Sequence, residues 1–161
     1  MKLRDIELTY ENHFVAMEYY YLILNRTYLV IKERGYLIGI QGNGIVSAQG
    51  GGDLLTEIVT SSLSINGDLA NPYSYLKNKY LQKIADLNLL DGSIVAANST
   101  NFLIRTIDIK SVVYNRKKKW GMGDYPHDGR VTVETYDNRK REFIILGAQS
   151  GKDIAGFITQ K

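Results

Sequence analysis

The chain has 161 residues and no cysteine, and that absence removes several chemistries at once. Disulfide scaffolds, thiolate zinc sites, iron–sulfur clusters and cysteine nucleophiles are all excluded. There are only two prolines, two histidines and one tryptophan. Two histidines more than a hundred residues apart, His13 and His127, leave little from which to assemble an imidazole-based metal or acid–base site. A long apolar run is missing too. A long stretch without charge, Tyr36 to Gly52, is interrupted by glycines and polar residues and does not read as a membrane span. The start, Met1 to Leu8, meets charge too early for a secretory apolar core, so the chain reads as a cytoplasmic protein.

What is abundant is Gly (15) and Tyr (12), in a chain that is 44% hydrophobic and 23% charged. This is the composition of a folded domain rather than of a disordered tail, with a lean towards strands and tight turns. The length suits one domain, spanning 1–161. The net charge of +3 is unevenly spread. Residues 1–100 hold 8 basic and 10 acidic side chains, a net of −2, and residues 101–161 hold 12 and 7, a net of +5. Two clusters supply much of the excess, Arg116-Lys117-Lys118-Lys119 and Arg139-Lys140-Arg141. Clusters of this kind serve as solvated, solubilising loops or as contacts for anionic partners.

Alternation of apolar and polar residues predicts a first strand at Ile6, Leu8 and Tyr10, and a second from Val15 to Leu24. A turn at Asn25-Arg26 leads into Thr27 to Lys32, a second at Glu33-Arg34-Gly35 into Tyr36 to Ile40, and a third at Gly42-Asn43-Gly44 into Ile45 to Ala48. His13 is expected to end a strand. Asp53 is a candidate cap for a helix from Leu54 to about Ser61, and Asn66-Gly67-Asp68 is a turn. Asn71-Pro72 opens a helix in which Leu76, Tyr80, Ile84 and Leu87 share one face, with Asp91-Gly92 as its stop. Tyr73, Tyr75 and Tyr80 pack that helix on the sheet. Strands return at Ser93–Ala97, Asn101–Ile107, Asp108–Asn115, Gly129–Tyr136 and Lys140–Gly147, with a hairpin at Asp137-Asn138. Ser150 with Asp153 three residues later resembles a capping box and starts a terminal helix carrying Ile154, Phe157 and Ile158.

The glycine-rich stretches lack the spacing of a dinucleotide fingerprint, and no Gly-Lys-Ser/Thr phosphate loop occurs. The most distinctive segment, Trp120 to Gly129, carries His127 between Asp124 and Asp128. That trio defines the enzyme alternative, a small metal-dependent or hydrolytic site. Its competitor is a long hairpin whose Asp and His side chains bond to local backbone. The ligand-binding candidates are Arg116, Lys117, Lys118, Lys119, Trp120 and His127: ammonium and guanidinium groups beside a ring that can stack or rest at an interface. Four such cations would give weak, salt-sensitive recruitment to an anionic bilayer. Nucleic acid is the less favoured partner, because no RNA- or DNA-reading motif accompanies the cluster.

Two blocks of antiparallel strands ending in a capped helix resemble the pleckstrin-homology (PH)-like superfold, with its bacterial PH and GRAM-like members. The segments that carry the resemblance are Tyr21 to Val30, similar to a first hairpin, and Phe102 to Val112, similar to a strand, an Asp-Ile turn and the next strand; the hairpin and helix from Arg130 to Thr159 complete it. The resemblance implies an α+β fold, an antiparallel PH-like sheet or barrel with a C-terminal helix, to which residues 53–91 add a middle helical insertion. Function does not follow from that superfold; the basic cluster, with no convincing catalytic set beside it, points to a non-catalytic binding or scaffold module that calls for no cofactor. Candidate partners are a protein or an anionic membrane surface, which would place the protein at the membrane periphery. A self-assembling interaction protein that pairs through strand edges or tyrosine-rich faces is a further alternative.

Overall fold

A computed structural model describes residues 1–21, 24–42, 68–118 and 126–160. Its centre is a seven-stranded antiparallel sheet, in an α+β architecture that is mostly sheet. The strands are β1 (His13–Tyr21), β2 (Leu24–Glu33), β3 (Tyr36–Gln41), β4 (Phe102–Arg105), β5 (Ile109–Asn115), β6 (His127–Thr135) and β7 (Lys140–Leu146). They lie in the order β4-β3-β2-β1-β7-β6-β5. Two meanders, 1-2-3-4 and 5-6-7, therefore join through β1 and β7, where only Ala16–Ile145 and Met17–Ile144 are in register.

Curling follows from connectivity. β4 and β5 are the two outermost strands, yet only the three-residue 3₁₀ turn Thr106–Asp108 separates them in sequence. In a flat sheet of this width the outer strands would lie about 29 Å apart, at roughly 4.8 Å per strand. Three residues span about 10 Å. The sheet has to roll into a half-barrel so that its edges approach at this corner.

Rolling creates an inner and an outer face. The inner face holds Phe14, Ala16, Tyr28, Val30, Leu37, Phe102, Val131, Val133, Phe143 and Ile145. It is covered by a C-terminal helix, Gly151–Thr159, through Ile154, Phe157 and Ile158. Ser150 caps this helix as its sequence promises, accepting the Asp153 backbone N–H at 3.2 Å. On the outer face, Val15, Met17, Leu29, Ile31, Ile38, Ile40, Ile144 and Leu146 form a second cluster. That cluster is covered by Leu3 and by the segment containing Tyr75, Leu76, Ile84, Leu89 and Ile94. Strands buried on both faces read as continuous apolar runs, and this is why Phe14-Val15-Ala16-Met17 and Tyr28-Leu29-Val30-Ile31 do not alternate. Among the described residues the helices, in chain order, are α1 (Asn78–Ile84), α2 (Ser93–Ala97) and α3 (Gly151–Thr159).

Several expectations need correction. Ile6 to Tyr10 is no strand: Leu3–Asp5 is a 3₁₀ turn, and Ile6 and Leu8 alternate because they lean on the outer cluster, not because they join a ladder. Tyr10 is 96% exposed. Asn25 and Arg26 lie within β2, opposite Tyr19 and Glu18, so the first hairpin turns before them. His13 begins a strand instead of ending one. The helix expected from Asn71 to Leu87 is broken. Pro72–Tyr75 is a 3₁₀ turn, Leu76 is extended, and α1 starts only at Asn78. Ser93–Ala97 is helical, not extended. Asp91 accepts from the Ser93 backbone N–H and hydroxyl, Gly92 turns the chain with φ 85°, and Ile94 is then buried. Of the proposed 53–91 insertion, residues 68–91 hold the 3₁₀ turn and α1; residues 53–67, with the helix placed there, lie outside the described residues, as does the strand at Ile45–Ala48.

Among the turns, Arg34 (φ 48°) and Gly35 (φ 79°) both take the left-handed region that a two-residue hairpin demands. Asn138 (φ 63°) does the same after Asp137. Among the described residues, no helix is long and apolar enough to cross a membrane.

Candidate functional site: the basic tip of β5 and β6

Beyond Asn115 the chain leaves β5, and Arg116, Lys117 and Lys118 are exposed. The Asn115 side chain accepts the Lys117 backbone N–H at 2.9 Å and folds the chain over the strand end. Below it, Gly129 holds φ 66° where the β6–β7 register slips between His127 and Arg130. A Cβ at Gly129 would collide with the Asn115 carbonyl and the Arg116 backbone, so glycine is what lets the two strands close under the tip. Lys119, Trp120 and Asp124 lie outside the described residues.

Asp128 has a definite task. One carboxylate oxygen accepts the Tyr114 hydroxyl and the other the Gly151 backbone N–H, both at 2.8 Å. It therefore ties the tip to the first turn of α3, where a carboxylate is stabilised by the helix dipole. Burial, and then this hydrogen bond, push the Tyr114 hydroxyl above its ordinary value. Gly151 packs against the Tyr114 ring, which brings exposed Lys152 to the same end of the molecule. His127 does not stand on the tip. It is the first residue of β6, opposite Leu146 and only 9% exposed. Among the described residues, no three His, Asp or Glu side chains gather as a metal site would need.

Ion pairing separates the two basic clusters. Arg139 pairs with Asp137 at 2.6 Å, Lys140 with Glu134 at 3.6 Å and Arg141 with Glu18 at 2.8 Å. Arg116, Lys117 and Lys118 form no ion pair among the described residues. The positive excess of the C-terminal part thus emerges at the tip and not along β7.

A second charged group, not anticipated from the sequence, sits inside the half-barrel at the start of β7. The Arg141 guanidinium lies 3.9 Å from the centre of the Phe102 ring and 5.8 Å from that of Tyr28, while it donates to Glu18. Tyr28 donates its hydroxyl to the Thr100 carbonyl at 3.0 Å. The Glu18 side chain is 16% exposed. Burial raises its carboxyl above the ordinary value, against the downward pull of Arg141 and Arg26. Glu18 follows Phe14 and Ala16 at two-residue spacing, so the signal was present in the alternation: an acid on the face that the neighbouring residues make apolar.

Comparison with protein-family models, with curated proteins and with solved structures finds no match for this chain.

Proposed function

We propose that the protein is a non-catalytic binding module of PH-like architecture, bacterial and cytoplasmic, that takes an anionic partner at its basic β5–β6 tip. The observation that carries this reading is the contrast between the two basic clusters: 139–141 is neutralised by its own acids, whereas 116–118 is exposed and has no ion pair among the described residues. The PH-like part of the reading rests on the strand order β4-β3-β2-β1-β7-β6-β5 and the terminal helix over the inner face. The absence of catalysis is argued from Asp128, whose two oxygens serve the fold, and from His127, which is built into β6.

An anionic membrane surface and an acidic protein segment both suit such a tip. Each exposed cation near an anionic surface contributes about 1 kcal/mol, so three together amount to roughly a hundredfold in affinity. The test is binding to phosphatidylglycerol-containing vesicles and to poly-L-glutamate, at low and at high salt, for the wild type and for R116A/K117A/K118A. Salt-sensitive binding to either polyanion, lost in the triple variant, is the expected result. No binding to either at low salt, or equal binding by the variant, overturns the reading.

A further inference from the structure

The tip continues into an unfinished sheet edge. β5 pairs with β6 on one side, and among the described residues no backbone hydrogen bond is recorded for residues 110–115 on the other. The row of main-chain groups on that side is a template for one more strand. Around it lie three of the four large apolar side chains that are exposed among the described residues. Ile107 (77%) precedes β5, Val113 (55%) stands within it, and Tyr136 (70%) follows β6. Tyr136 is drawn to the Ile107 corner by its N–H, which donates to the Asp108 carbonyl at 3.0 Å. On the inner side Ile109, Val112 and Tyr114 are only half-buried, so the apolar lining extends to the edge itself.

Charge selects the occupant. Lys110 and Lys140 share the single carboxylate of Glu134, and Arg116, Lys117 and Lys118 follow the strand end with no ion pair among the described residues. A second copy of the chain pairing antiparallel along β5 would set Arg116–Lys118 of each copy beside Lys110 of the other, and like charges facing across a ladder destabilise it. An acidic strand meets the same positions with opposite charge. We infer that the β5 edge binds an extended acidic peptide segment by strand addition, with main-chain hydrogen bonds along 110–115 and acidic side chains answering Lys110 and Arg116–Lys118. This inference rests on the basic tip as the contact surface and names its partner.

The test uses the full chain with a blocked heptapeptide of alternating Glu and Thr, matched in length to the seven residues of β5. Its control is the same peptide N-methylated at alternate residues, equal in charge and unable to complete the ladder. The unmethylated peptide is expected to slow amide exchange at 110–115 and to bind at least about tenfold more tightly than the methylated one. R116E/K117E, at exposed residues without an ion pair among the described residues, should weaken it by a similar factor while leaving the unfolding midpoint near that of the wild type. Equal affinity for the two peptides would reduce the interaction to charge alone and overturn strand addition. Exchange protection confined to other strands, or binding to anionic vesicles without binding to the peptide, would overturn it too. So would a concentration-dependent mass pointing to self-pairing along β5. Failure of every polyanion, vesicles and poly-L-glutamate included, would instead remove the function proposed above.

Discussion

The two meanders of the sheet are built from the same element type and live in different surroundings. β1, β2 and β3 are covered on both faces, by α3 and the inner aromatic cluster on one side and by the N-terminal turn and residues 69–97 on the other. Among the described residues, β5 and β6 are covered on the inner face alone. Their outer face carries Ser111, Thr132 and the cross-strand pairs Lys110–Glu134 and Arg130–Glu142. The difference shows in sequence as unbroken apolar runs against strict alternation, and in the burial of β6, whose residues are buried at every second position. It separates two tasks. A sheet packed on both faces has no surface to offer, while a half-covered one keeps a face, an edge and a tip available for contact.

Truncation should break the comparison most visibly. Leu29 is fully buried in the outer cluster, and Leu29→Ala should cost about 3 kcal/mol, as a transfer loss plus an unfilled cavity. Val113→Ala, on the open half, should cost less than about 0.5 kcal/mol. Urea unfolding midpoints compare the two directly, and similar losses would mean that the outer face of β5 is covered in solution. Next comes Arg141→Ala, expected to cost about 2 kcal/mol, because it leaves the largely buried Glu18 carboxylate without its partner and uncovers the Phe102 ring.

A pH titration sharpens the same contrast through two carboxylates. Glu18 is raised by burial, so folding favours its protonated form. The stability it contributes is complete below its unfolded value and is lost as pH rises through the folded one. Glu134 is held low, first by its hydrogen bond with Lys110, so its contribution is present above the unfolded value and is lost as pH falls. Carboxyl NMR titration should place Glu18 above and Glu134 below the ordinary glutamate midpoint. Glu18→Gln should gain stability relative to the wild type between acid and neutral pH, whereas Glu134→Gln should lose it. Identical trends would erase the distinction between the interior of the half-barrel and its outer face.

Much of the sheet is legible in the sequence because turns and alternation are local. Arg34-Gly35, Asp137-Asn138 and Ser150 do what their residue types allow wherever they stand. The errors fall where tertiary contact overrules a local pattern. Ile6 and Leu8 alternate without a ladder, and Ser93–Ala97 has the apolar content of a strand but is turned into a helix by Asp91 and Gly92. At the tip, the exposed cations were readable, and the lack of an ion pair for them among the described residues was not. The Arg139-Lys140-Arg141 run looks equivalent in sequence, and only the register that brings Glu18 near Arg141 and Glu134 near Lys140 tells them apart. Asp128 misleads for the same reason: its partners Tyr114 and Gly151 are 14 and 23 residues away.

The smallest effect on folding should accompany the largest effect on binding. Arg116, Lys117 and Lys118 are exposed and in no ion pair among the described residues, so R116A/K117A/K118A should shift stability by no more than about 0.5 kcal/mol. Relief of mutual repulsion between three adjacent cations even favours a slight gain, most visible at low salt, where screening is weakest. If the tip instead served solubility alone, the variant would fold equally well, precipitate more readily and bind polyanions no differently from the wild type. If it anchored the sheet, the unfolding midpoint would fall. Retained stability with lost polyanion binding is the one combination that assigns the open half of the molecule to recognition and the doubly covered half to holding it in shape.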